Sequence, residues 1–142
     1  MAVATHDTVP FLVARVATLM NAWHADLRKL GLSVLSVRVM AVLSLNGAAT
    51  VGELAEATSI DQSTLSHILR RLARAGRVAK ARAKHDNRSV RVSLTPKGRA
   101  LAKKCFDTAV RHERMLTRGL GEKEVKTLKN GLGRLYANLR TL

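Results

Sequence analysis

One stretch of the chain decides the fold: residues 50–98, TVGELAEATSIDQSTLSHILRRLARAGRVAKARAKHDNRSVRVSLTPKG. Its hydrophobic spacing predicts two short helices, a hairpin with a charged tip and the start of a further helix. Thr50 and Glu53 have the T-x-x-E spacing of a capping box, in which each side chain satisfies a backbone N–H of the other residue. The first short helix is therefore expected over Val51–Ala57.

The second short helix, predicted from Asp61 to Ala75 with Asp61 as its cap, has two faces of opposite character. One face is apolar, and the other carries hydroxyl and basic side chains. Small hydroxyls allow close approach to base edges and phosphates, and arginine can bind guanine or phosphate. The polar face is therefore interpreted as a surface for the major groove of DNA, the alternative being an ordinary solvated face. The apolar residues are Leu65, Ile68, Leu69 and Leu72. The candidate DNA-binding residues are Gln62, Ser63, Thr64, Ser66, His67, Arg70, Arg71 and Arg74.

The hairpin that follows is predicted as strands Val78–Arg82 and Ser89–Leu94, because its apolar residues alternate with polar ones. A polar turn over residues 84–87 joins the strands. Its basic tip can reach an adjacent minor groove, where the negative potential attracts arginine. The alternative is a charged hairpin without contacts. The candidate residues are Arg82, Lys84, Asp86 and Arg88, with Asp86 orienting Arg88 rather than touching DNA.

Long helices are predicted on both sides of this stretch. One runs over Pro10–Leu30, a second is capped by Ser33 and stops at Asn46, a third runs from Thr95 to Arg118, and a last helix follows. The last helix carries leucines at alternating spacings of three and four, a heptad seam that favours a partner helix. We expect a homodimer, although packing within the same chain is an alternative. The seam residues are Val125, Leu128, Leu132, Leu135 and Leu139.

The composition points to a polyanionic partner. Of the 142 residues, 25 are Lys or Arg and 10 are Asp or Glu, which gives a formal net charge of +15. So large an imbalance favours nucleic acid, although an arginine-rich surface without a partner is an alternative. Cys105 is the single cysteine, so no intrachain disulfide forms. A reducing cytoplasm and a core position for Cys105 are therefore expected.

Other classes of protein are disfavoured. No run of 18 apolar residues is present, so no membrane span is expected, and the beginning of the sequence lacks the pattern of a signal peptide. No nucleophile–base pairing or phosphate-binding loop is present, and the histidines lack metal-ligand spacing. We therefore predict no catalytic site, no metal, no cofactor and no enzymatic activity.

Two segments, STLSHILRRLARAGRV (63–78) and DNRSVRVSLTPKGRAL (86–101), resemble the MarR family of winged-helix transcriptional regulators. The resemblance extends over almost the whole chain. It implies a mainly α fold with a small β-hairpin (α+β), a winged helix-turn-helix flanked by long N- and C-terminal dimerisation helices. The chain would be one MarR-like domain over residues 1–142. The DNA-binding lobe would span 33–95, and the dimerisation helices 10–31 and 96–142.

The resemblance also implies a function. Arg88 would be the wing arginine that enters the minor groove, with Asp86 as its supporting acid. The protein would be a homodimeric repressor of a palindromic operator in double-stranded DNA, released by a small aromatic or anionic ligand. Trp23, Arg15 and Arg38 are candidates for binding that ligand. The alternatives from other classes are an architectural protein that coats nucleic acid without sequence preference, and a protein-interaction module.

Overall fold

The computed structural model describes residues 5–83 and 86–141 of the chain. Short 3-10 turns lie at Thr5–Asp7 and Asn21–His24. No helix within the described ranges combines the length and the hydropathy that crossing a membrane requires. The helices are α1 Val9–Met20, α2 Ala25–Lys29, α3 Val34–Asn46, α4 Val51–Thr58, α5 Gln62–Arg74, α6 Pro96–Leu116 and α7 Glu122–Leu139. The strands are β1 Ala48–Thr50, β2 Val78–Ala83 and β3 Asp86–Leu94.

The chain divides into two compact units, one ending at Asp107 and one beginning at Thr108. The first contains α1 to α5, the sheet and the N-terminal part of α6. The second contains the rest of α6 and α7, and an ion pair between Lys129 and Glu113 joins these two helices at 2.5 Å. Glu122 and Glu124 lie in the first turn of α7, where the helix dipole favours negative charge.

The hydrophobic core of the first unit lies between α3, α4, α5 and the sheet. Its centre contains Val39, Leu54, Leu65 and Val92, each fully buried. The four residues predicted to form the apolar face of α5 are all in this core. Leu32 and Cys105 extend the core beyond the predicted lobe, and the core position of Cys105 is confirmed. Burying such side chains against one another is what holds short helices that are marginal in isolation.

The sheet has three antiparallel strands in the order β1-β3-β2, whereas the sequence predicted only the hairpin. β1 pairs Ala49 with Val92 of β3. A strand of three residues is too short for an alternating pattern to reveal it, which is why it was missed. β3 also begins earlier than predicted: Asp86 and Asn87 belong to the strand rather than to the turn, because pairing shifts register at Arg82/Ala83 and continues to Ala83–Asp86.

The prediction of one N-terminal helix over Pro10–Leu30 is wrong. α1 ends at Met20, a 3-10 turn follows over Asn21–His24, and α2 begins at Ala25. The backbone N–H of Asn21 faces the carbonyls of both Ala17 and Thr18, so the α-helical pattern tightens into i to i+3 pairing. Asparagine is a weak helix former because its side chain competes for backbone groups.

Capping hydrogen bonds confirm the predicted helix starts at Ser33 and Thr95. The hydroxyl of Ser33 accepts from the N–H of Ser36 at 3.1 Å. The hydroxyl of Thr95 accepts from the N–H of Gly98 at 3.0 Å and donates to the carbonyl of Gly76 at 2.6 Å. The start of α6 is thereby attached to the loop before β2, which holds the hairpin against the helices.

Candidate nucleic-acid interface

Helix α5 presents a line of polar side chains opposite the face that it buries. Ser63, His67, Arg70 and Arg74 recur at intervals of four, three and four, so they lie along one side of the helix. All four are exposed. Gln62, Ser66 and Arg71 are also exposed, around this line. We call Ser63, His67, Arg70 and Arg74 the outer line of α5.

Asp61 defines where α5 begins. Its carboxylate accepts from the backbone N–H of Thr64 at 2.8 Å. Hydrogen bonds from the hydroxyl and the backbone of Thr64 lower the pKa of Asp61. Thr64, a predicted DNA-binding residue, is half-buried and uses both of its donors on this cap. The carboxylate therefore serves the helix terminus, and the outer line of α5 contains only neutral and basic side chains.

The outer line contains one internal hydrogen bond. Arg70 Nη2 lies 3.1 Å from Nδ1 of His67, one turn earlier. Arg71 and Arg74 occupy the last turn of α5, where the helix dipole favours positive charge. Arg70, Arg71 and Arg74 thus place three guanidinium groups toward the end of α5, and such groups are suited to phosphates or to guanine edges.

The turn between α4 and α5 is held by a hydrogen bond from α3 and another within α4. Ser59 closes α4 in the left-handed conformation with φ 55°. The buried hydroxyl of Thr58 donates to the carbonyl of Leu54 at 2.5 Å. Arg38 Nη1 of α3 donates to the carbonyl of Thr58 at 3.2 Å. These contacts link α3 to the end of α4 and so set the position from which α5 starts.

Of the candidate residues in the hairpin, the structure describes the side chain of only one. Arg82 is exposed on β2. Asp86 and Arg88 lie on β3, but their side chains are outside what the structure describes, and Lys84 is outside the described residues altogether. The predicted pair of Asp86 and Arg88 therefore stays a prediction.

Arg91, which no sequence pattern indicated, anchors the hairpin. Arg91 Nη2 donates to the carbonyl of Ala48 at 2.6 Å, and its Nη1 lies 3.7 Å from Glu53 Oε2. The same Glu53 oxygen accepts from the N–H of Thr50 at 2.7 Å and completes the predicted capping box. The backbone hydrogen bond from Thr50 and the charge of Arg91 lower the pKa of Glu53. One side chain thus connects β3, β1 and the start of α4.

The candidate effector residues have other neighbours in the described chain. The guanidinium of Arg15 lies 5.8 Å from the centre of the Phe11 ring, a cation–π contact. Arg38 supports the turn after α4. The side chain of Trp23 is outside what the structure describes. Their role in ligand binding stays a prediction.

The seam of α7 is mostly exposed in the single chain. Leu128, Leu132, Leu135 and Leu139 are each between 39% and 68% exposed, and Val125 is half-buried. Apolar side chains in such a row are normally covered by a partner.

Two short helices joined by a tight turn, followed by an antiparallel hairpin, define a winged helix-turn-helix. In this class of DNA-binding proteins the second helix enters the major groove. A crystal structure described as a MarR family transcriptional regulator from Silicibacter pomeroyi has a TM-score of 0.82 and 28% identity, over 98% of this chain and 94% of that one.

Two further comparisons agree. The helix-turn-helix transcriptional repressor Rv2887 of Mycobacterium tuberculosis is 33% identical over 105 residues, which cover 73% of this chain and 76% of the repressor. The structure of Bordetella bronchiseptica BpsR, described by the regulation of its DNA binding by 6-hydroxynicotinic acid, has a TM-score of 0.86 and 25% identity, over 96% of this chain and 98% of BpsR.

The family model described as transcriptional regulator SarA/Rot matches residues 22–105. The chain belongs to the MarR-type winged-helix transcriptional regulators. The fold class and the family predicted from the sequence are confirmed. The chain is thus a DNA-binding transcriptional regulator.

Proposed function

We propose that the protein is a homodimeric, sequence-specific repressor that binds a palindromic operator in double-stranded DNA in the cytoplasm. The observation that carries this proposal is the outer line of α5, in which Ser63, His67, Arg70 and Arg74 are exposed while the opposite face is buried. A two-fold dimer would present two such lines to half-sites ~34–36 Å apart.

In the proposed complex the two parts of the lobe have different tasks. The exposed residues of α5 read the major groove, and the hairpin enters the minor groove through Arg88, steadied by Asp86 and assisted by Arg82 and Lys84. The lobe 33–95 binds DNA, and the helices in 10–31 and 96–142 form the dimer. The exposed leucines of α7 support this assignment, since a heptad seam favours a second helix that covers it.

A small aromatic or anionic ligand is proposed to release the operator. BpsR supports a ligand of this class, because its DNA binding is regulated by 6-hydroxynicotinic acid. The proposed binding residues are Trp23, Arg15 and Arg38. A ligand that binds the free protein more tightly than the DNA complex must weaken DNA binding by the same factor. A thermal-shift screen with 6-hydroxynicotinate and benzoate, followed by operator titration, tests this part.

The test of the main proposal is a competition titration. The DNA upstream of the gene is labelled, and unlabelled copies of it compete with random duplex of equal length. We expect the specific duplex to bind about 10³-fold or more tightly at physiological salt. Arg70→Ala should reduce that ratio. Arg74→Ala, which removes the same charge, should instead lower affinity on both duplexes and reduce the salt slope by about 1. Equal competition by random duplex would refute a sequence-specific regulator.

One observation favours a second candidate, an architectural protein that coats DNA. The formal net charge of +15 suffices for tight binding without base recognition. The same competition separates the two candidates, because an architectural protein would show a steep salt dependence with a specificity ratio near one.

A further inference from the structure

The contact between His67 and Arg70 allows only one assignment of donor and acceptor. An arginine guanidinium has five N–H donors and no acceptor. Nδ1 of His67 must therefore be the acceptor of the 3.1 Å contact. In this contact His67 adopts the tautomer that carries its hydrogen on Nε2. The remaining donors of both side chains are thus presented from the middle of the outer line.

The surroundings on α5 favour this pairing. The helix contains no Asp or Glu between Gln62 and Arg74, so no carboxylate of the same helix competes for Arg70. Asp61 is occupied with the N–H of Thr64 at the helix start. Both partners are exposed, and their bond is not a requirement of the core.

We propose that His67 is a positioning residue that holds the Arg70 guanidinium for one guanine in each operator half-site. The inference rests on the proposed function. Free arginine side chains lose considerable rotamer freedom when they bind, and a bond made before binding reduces that loss. Guanine presents two acceptors, O6 and N7, in the major groove, whereas adenine presents N7 and, in place of O6, an N–H donor. The N–H donors of the Arg70 guanidinium, held in place by His67, match guanine and oppose adenine.

The experiment measures discrimination at single bases in the preferred duplex. Each guanine is replaced in turn by 7-deazaguanine, which lacks the N7 acceptor, or by adenine. For the wild-type protein we expect one symmetric pair of guanines at which replacement weakens binding by roughly 5- to 150-fold. Arg70→Ala should abolish that sensitivity, and His67→Ala should reduce it about three- to tenfold.

Two further variants separate positioning from direct contact. His67→Asn keeps an acceptor oxygen near the position of Nδ1 and should restore most of the discrimination. In an Arg70→Ala background, His67→Ala should cause no additional loss, since a residue that acts through Arg70 has nothing left to position. Arg74→Ala removes a guanidinium from the same line, and as a comparison it should weaken binding to the unmodified and the 7-deazaguanine duplex by the same factor.

Three results would overturn the inference: unchanged discrimination in His67→Ala, additive losses in the double variant, or no rescue by His67→Asn. Failure of the proposed function is distinct from these, because the wild-type protein itself would then prefer no duplex. Unchanged thermal unfolding of the variants verifies that the losses arise at the DNA surface.

Discussion

Gly98 is the position at which α6 lies closest to the loop before β2. A Cβ on this residue would lie within 1.9 Å of the carbonyl oxygen of Arg77, which is backbone and cannot rotate away. We therefore expect Gly98→Ala to lower the free energy of unfolding by about 1–3 kcal/mol or more, measured by urea denaturation.

The matched control is Gly133→Ala on α7, where an added Cβ meets nothing within 4 Å in the single chain. Alanine is the better helix former, so this variant should gain about 0.5–1 kcal/mol. If both substitutions had the same effect, the close approach at Gly98 would not be the cause.

Arg77 and Arg91 show which single-residue contacts could not be predicted from the sequence. Arg77 Nη2 donates to the carbonyl of Leu30, 47 residues earlier, and Arg91 donates to Ala48, 43 residues earlier. Capping residues such as Asp61 were predictable because their partners lie three positions away. Long-range arginine contacts follow no local spacing, so the anchor at Arg91 was not predicted.

The carboxylates that cap α4 and α5 should make the stability of the fold depend on pH. Hydrogen bonds lower the pKa of Asp61 and of Glu53 below their ordinary values of about 4. Each group therefore contributes stability that is complete above its unfolded-state pKa and is lost as the pH falls through the lower folded-state value.

We expect Asp61→Asn to reduce the loss of stability at low pH, because asparagine caps a helix without titrating. The measurement is the thermal midpoint at about pH 6 and about pH 3. The drop between them should be smaller in the variant, and equal drops would show that Asp61 does not contribute.

Arg91 connects the hairpin to two other elements, so Arg91→Gln should loosen the wing. We expect a loss of about 1 kcal/mol and faster hydrogen exchange in β1 and β3, because the Ala48 carbonyl loses its side-chain donor. Lys80→Gln removes an exposed charge from β2 and is the control. Slower operator binding with unchanged exchange in Arg91→Gln would indicate lost charge rather than a loosened wing.

Elements with a strong internal period were predictable, and elements that depend on distant pairing were not. The buried and exposed faces of α5 follow directly from the 3.6-residue period. β1 exists because Ala48–Thr50 pairs with a strand far along the chain, and three residues carry no period of their own. The break at Asn21–His24 is a change in hydrogen bonding within an unbroken apolar stripe, which a stripe alone does not reveal.

The proposed assembly of the whole molecule rests on the exposed seam of α7. Leu132 is 46% exposed in the single chain, and covering it with a second helix is the proposed use of the seam. Leu132→Asp should therefore shift the molar mass measured by light scattering from dimer to monomer. Operator affinity should fall by about 10²-fold or more, because the two lobes would no longer be linked.

Asn130→Asp places the same charge on the opposite side of α7, at another exposed position, and should leave the mass unchanged. A Leu132→Asp protein that stays dimeric would place the dimer contact elsewhere. At the scale of the whole molecule, the apolar row of α7 and the net charge of +15 can be read from the sequence, and both favour a partner. The sequence did not predict that Arg38 contacts the carbonyl of Thr58, because that contact depends on how the helices pack.

The buried Cys105 gives the protein a reporter of its own opening. It is the single cysteine, only 5% exposed, and burial raises the pKa of its thiol. An alkylating reagent can therefore react only when the core between α6 and the lobe transiently opens. The rate of labelling therefore reports the free energy of that opening, and no cysteine has to be introduced by mutation. Anything that binds the closed lobe, whether operator or effector, should slow the reaction in proportion to its affinity.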